Sequence, residues 1–94
     1  MSSNIKQLFI IIYSIMLQIF AERLKYLREE KNLSQVQLSK LTGISNMAIS
    51  NWERNNREIS ASFLIRLAVF FDVTVDYLLG LENEYGTKTT PKIY

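Results

Sequence analysis

Cysteine and histidine are both absent from this chain of 94 residues. Without thiols it can form no disulfide, no thiolate zinc site and no cysteine nucleophile. Without imidazole it lacks the commonest general base and metal ligand as well. The remaining carboxylates fall at no ligand-like spacing, so the sequence reads as a non-enzymatic protein with no metal and no cofactor. Glycine occurs three times and proline once, and no glycine-rich phosphate loop, internal repeat or low-complexity tract is present. Neither sign of charge predominates, with 11 basic and 9 acidic residues. The net charge of +2 and isoelectric point of about 9.0 are too mild for bulk electrostatics alone to establish a nucleic-acid partner. Absence of cysteine is compatible with a reducing cytoplasm, which is the expected compartment.

A hydrophobic content of 48% over 94 residues supports one small domain with a single core and leaves no room for a second, catalytic one. The organising stretch is 34–53, SQVQLSKLTGISNMAISNWE, which reads as two short helices joined by a tight turn. Ser34 with Gln37 three residues later forms a capping-box pattern, and Ser45 offers N-cap chemistry to the second helix. Gly43 stands where the first must stop, because glycine enters the left-handed conformation of such a stop. At about 100° per residue, Asn46, Met47, Ser50, Asn51 and Arg54 share one arc of the second helix, and Ala48, Ile49 and Trp52 share the other. Leu38, Leu41 and Ile44 are expected to supply the facing apolar surface. Trp52 is assigned to the core, not to stacking on bases.

The residues Gln35, Leu38, Gly43, Ile44, Ile49 and Trp52-Glu53, continued by Asp72-Val73-Thr74-Val75-Asp76-Tyr77-Leu78-Leu79-Gly80, resemble the Cro and phage-repressor-type helix-turn-helix family over roughly residues 20–80. Ser39 departs from it, since the family usually carries alanine there for close helix contact. The resemblance implies an all-α, five-helix phage-repressor-like DNA-binding domain, here with an extra apolar N-terminal segment. It also implies that the second helix of the pair lies in the major groove, where base edges expose distinguishable donors and acceptors. Asn46, Met47 and Asn51 fall at the family's base-reading positions, with Ser50 beside them. Asparagine can make a paired contact to adenine, and methionine can lie against a thymine methyl. Gln35 matches a phosphate-gripping position, in keeping with the pull of a helix start on anions. Arg54, Asn55, Asn56 and Arg57, at the end of the helix and in the polar loop after it, are further phosphate candidates. Arg28 and Glu53 match positions where relatives form an ion pair that braces the reading helix.

Taken in order, residues 1–19 form an apolar N-terminal extension, 20–80 the domain and 81–94 a flexible polar tail. The run 8–20 is almost continuously apolar. Its 13 residues fall short of the ~20 a membrane span needs, and no small-residue cleavage site follows for a secretory signal. It is expected to be a helix or strand packed on the domain or on a second copy. Another possibility is that Met16 is the natural start. The first helix is expected over about 19–31, with Phe20, Leu24 and Leu27 inward, Glu22, Arg23, Lys25 and Glu29 facing solvent, and Asn32 as a left-handed cap. Ser60 can cap the helix ASFLIRLAVFF, whose Phe63 and Val69 are apolar where relatives are polar; Thr74 caps a last short helix that Gly80 ends.

The leading expectation is a transcriptional regulator, in particular a repressor, that binds a partly palindromic double-stranded DNA operator as a homodimer. An antitoxin-like module of the same fold that masks a toxin is the second reading. A membrane-attached regulator ranks last.

Overall fold

The computed structural model describes residues 2–56 and 58–89, and among these five helices form: α1 (Ser2–Glu30), α2 (Gln35–Thr42), α3 (Asn46–Glu53), α4 (Ala61–Phe71) and α5 (Val75–Leu78). No strand occurs among them; a lone antiparallel bridge joins Glu82 and Lys88. The all-α expectation is met.

The first helix is longer than expected. No glycine or proline occurs before Gly43, so nothing interrupts the backbone between the apolar extension and residues 20–30, and α1 runs unbroken for 29 residues. At 1.5 Å per residue that is about 43 Å. Counting only the 13-residue apolar run therefore understated it: by length and composition alone, α1 could cross a membrane. Burial changes along it. Residues 4–11 are exposed, several positions between 12 and 19 are half-buried, and Phe20, Ala21, Leu24, Leu27 and Arg28 are buried. The helix ends where Asn32 takes the left-handed conformation at φ 58°. Short polar side chains tolerate that region.

The domain core gathers one apolar stripe from each helix. Phe20, Leu24, Leu38, Ile44, Ile49, Leu67 and Leu78 are all but fully buried, each contributing about 1.5–3 kcal/mol of transfer free energy. Trp52 joins them, its ring 6.2 Å from Phe20 in an edge-on contact and 5.6 Å from Phe63. Its indole N–H donates to the Glu58 carbonyl at 3.3 Å, so the buried polar end is satisfied. Phe63 is thus largely spoken for within the chain, whereas Val69 is 76% exposed.

Several expectations are corrected. Leu41 is 61% exposed and does not face α3; α2 has only eight residues, and its second turn carries Leu38 inward and Leu41 outward. Arg23 does not face solvent. Its guanidinium sits 4.3 Å over the Tyr77 ring centroid and donates to the Tyr77 and Glu82 carbonyls, tying α1 to α5. Ser60 occupies the N-cap of α4 without capping it, because its hydroxyl pairs with that of Ser62. Thr74 does cap α5, accepting from the Tyr77 N–H. Past α5 the chain folds back on itself. Thr89 N–H donates to the Leu81 carbonyl and Asn83 N–H to that of Thr87, while the Asn83 side chain accepts from the backbone of Tyr85 and Thr87.

Candidate nucleic-acid interface

The start of α3 is fixed locally. Ser45 holds an extended backbone and its hydroxyl accepts from the Ala48 N–H at 3.1 Å, satisfying one of the donors a helix start leaves free. Ahead of it, α2 is set by the full capping box: Ser34 accepts from the Gln37 N–H and the Gln37 side chain accepts from the Ser34 N–H. Gly43 closes α2 at φ 74°. Ser39, the departure from the family pattern, donates its hydroxyl to the Ile44 carbonyl. The serine therefore stitches the end of α2 to the turn that alanine could only leave open.

The inner arc of α3 seats the helix, with Ile49 and Trp52 buried and Ala48 half-buried. The outer arc points away from the core. Asn46 and Arg54 are exposed, Met47 is 72% exposed, and Ser50 and Asn51 are half-buried. Arg54 donates to the Asn51 side-chain oxygen at 2.9 Å. That bond leaves the amide NH2 of Asn51 directed elsewhere and brings a guanidinium beside it. Asn46, Met47, Ser50, Asn51 and Arg54 thus form one polar and adaptable surface with a single fixed charge. The helix closes with Asn55 left-handed at φ 58°, and Asn56 N–H returns to the Asn51 carbonyl at 2.9 Å. Asn55 and Asn56 are exposed beside the arc. Arg57 lies outside the described residues.

Under this surface Arg28 and Glu53 form a forked ion pair, Nε to Oε2 at 2.7 Å and Nη2 to Oε1 at 2.8 Å, with side chains only 11% and 4% exposed. The hydrogen bond to Glu53 raises the Arg28 pKa above its ordinary range, more than burial lowers it. The third guanidinium nitrogen donates to the Leu33 carbonyl at 2.7 Å, so one side chain of α1 holds both the loop before α2 and the last residue of α3. Gln35 completes the group by donating its amide to Glu53 Oε1 at 3.1 Å. Gln35, the expected phosphate contact, stands half-buried at the start of α2 with its side chain turned to the Glu53 carboxylate. That contact was not foreseen.

A second unforeseen neighbour is Tyr13. The Glu58 carboxylate raises its phenol pKa, chiefly through a hydrogen bond. No group of three or more carboxylates suited to a metal ion occurs among the described residues.

Comparison with known proteins agrees with this geometry. Residues 24–78 match the HTH_3 helix-turn-helix family model. Control protein C.SmaI of Serratia marcescens is 39% identical over 72 residues, covering 73% of this chain and 86% of that protein. Repressor protein C2 of Salmonella phage P22 is 37% identical over 62 residues, 66% of this chain but 29% of the repressor's length. The crystal structure of the restriction-modification controller protein C.AhdI from Aeromonas hydrophila superposes with a TM-score of 0.61 at 34% identity, over 66% of this chain and 94% of that one.

Proposed function

Because the chain belongs to the helix-turn-helix family of Cro and phage-repressor type, we propose that it is a sequence-specific DNA-binding regulator that acts in the cytoplasm as a homodimer on a partly palindromic operator, mainly as a repressor. The observation that carries this reading is the outward arc of α3, held on a base that includes a buried, forked ion pair. In it Asn46, Met47, Ser50 and Asn51 read base edges. Gln35, Arg54, Asn55, Asn56 and Arg57 meet phosphates, and Arg28 with Glu53 keeps α3 at its docking angle. Gln35 can serve phosphate through its backbone at the α2 start while its side chain stays on Glu53. Residues 20–80 are the DNA-binding unit, with 1–19 an added segment and 81–94 a peripheral one. A single unit of this size covers few base pairs, so specific affinity needs two copies on a two-fold site. Repressor C2 and control protein C.SmaI carry regulatory names, which supports a non-enzymatic role.

A mobility-shift titration against the DNA upstream of the gene tests the reading. Asn51→Ala should lose preference for that DNA by about 1–3 kcal/mol, while Arg57→Ala should weaken every duplex alike and lower the salt slope by about 1. Equal losses on all sequences from both changes would sink it.

A second reading draws on the exposed Ile65 and Val69 of α4, which offer a toxin an apolar landing surface. In that case a small toxin-like reading frame lies beside the gene, and DNA binding is autoregulatory.

A further inference from the structure

The first half of α1 leaves an unusual amount of apolar surface in water: Ile5 is 55% exposed, Leu8 43%, Phe9 67%, Ile10 64% and Ile11 47%. Its spacing is specific. Ile5, Leu8, Ile12, Ile15 and Ile19 follow one another at intervals of three, four, three and four residues, the seam of a left-handed helix pair with isoleucine at one core position and leucine or isoleucine at the other. Ile19, the last of the line, is already covered: a Cβ added at Gly80 would meet its Cδ1 at 2.7 Å. Toward the N-terminus Ile15 and Ile12 of the same seam are half-buried, and Leu8 and Ile5 are exposed. Gln7, Ser14 and Gln18 lie about 120° round the helix, and Tyr13, which faces Glu58, lies about 120° the other way. Through residues 12–19 the helix therefore has a domain side, a polar side and an apolar side, while nearer its start the exposed Ile10 adds an apolar residue between the first two.

A bilayer fits this geometry poorly. Ile19 packs on Gly80, and Phe20, Ala21, Leu24, Leu27 and Arg28 anchor the second half of α1 in the domain. The exposed stretch 4–11 spans about 12 Å, less than half of the ~30 Å hydrocarbon core. A second copy of this chain fits better, because an isologous partner brings an identical seam. With Phe9 and Ile11 as flanks, the exposed parts of these side chains reach several hundred Å² per copy, on the order of the ~800 Å² per partner of a stable interface.

We propose that the homodimer is held by α1 against α1, with Ile5, Leu8, Ile12 and Ile15 of each copy closing on those of the other. This rests on the dimeric reading above and names its surface. The seam needs no lipid and no other protein.

The test is sedimentation equilibrium of the full chain beside the variants Ile5→Glu/Leu8→Glu and Ser14→Glu, with circular dichroism and the duplex shift recorded for each. The native chain and Ser14→Glu sediment at twice the chain mass. Ile5→Glu/Leu8→Glu sediments as a monomer with its melting curve cooperative, since both positions are outside the core, and its dimer dissociation constant rises by at least about 100-fold. A native chain that is monomeric, a seam variant that stays dimeric, or a native chain that floats with phosphatidylcholine–phosphatidylglycerol vesicles while Ile5→Glu/Leu8→Glu does not would overturn the proposal. A seam variant that stays dimeric and still shifts its operator would overturn this interface and leave the DNA-binding reading standing. A seam-held dimer that shifts no duplex would do the reverse.

Discussion

Replacing Arg28 by methionine tests how α3 is held. In the native chain Glu53 is 4% exposed and receives two hydrogen bonds from Arg28 and one from Gln35. Arg28→Met removes two of the three and leaves a buried carboxylate with one neutral donor; the Leu33 carbonyl loses its donor as well. Breaking one side of a buried pair costs about 3–5 kcal/mol, because the surviving charge stays desolvated without its partner. In a chain of this size each kcal/mol moves the midpoint by roughly 4–8 °C, so the loss is at least ~12 °C. The double change Arg28→Met/Glu53→Met removes the stranded charge and should recover most of the loss, since well-packed apolar replacements of buried pairs are often near neutral. Urea unfolding followed by far-ultraviolet circular dichroism and Trp52 fluorescence yields all three free energies. If Arg28→Met costs under about 1 kcal/mol, the pair behaves as an exposed one and the brace does not exist. Should the double variant be as unstable as the single, charge stranding is the wrong cause.

Other outcomes follow from single contacts. Ser34→Ala and Ser45→Ala each remove a side-chain cap and should cost about 1 kcal/mol in urea unfolding, whereas Ser60→Ala, which removes none, should cost no more than a few tenths. Three equal values would contradict the capping geometry. Gly80→Ala forces a Cβ into a left-handed position at φ 81°, 2.7 Å from Ile19 Cδ1, and should lower stability by about 1–2 kcal/mol. Combining it with Ile19→Ala should relieve the steric part but not the backbone part.

The helix-turn-helix pair was legible because its punctuation is local. Ser34, Gln37, Gly43 and Ser45 act within three or four residues of themselves, so their chemistry can be read without knowing the fold. Trp52 and Ile49 were equally plain from the helical period. What escaped depended on distant partners. Arg23 lies on a face that periodicity assigns to water, and only the return of Tyr77 and Glu82 beside α1 turns it inward. Leu41 fits an apolar stripe, yet α2 is too short to present more than Leu38 to the core. The unbroken length of α1 had a signal, the lack of glycine and proline over the first 42 residues, which a reading guided by apolar runs passed over. Asn83 and Gly86 likewise marked a turn in a segment read as a tail. Gln35 was assigned to phosphate on family position, and its bond to Glu53 became visible only once the two helices were placed together.

The role proposed for the exposed side of α3 is to read duplex DNA. Selection of bound fragments from a pool of random duplexes by the full chain measures this most directly. Enrichment of a short half-site repeated with two-fold symmetry is expected, its two copies about one helical turn apart, with loss of that enrichment in Asn51→Ala while overall duplex retention persists. A pool that stays random after repeated selection by the native chain, or an enriched site that Asn51→Ala and Met47→Ala leave unchanged, would refute it.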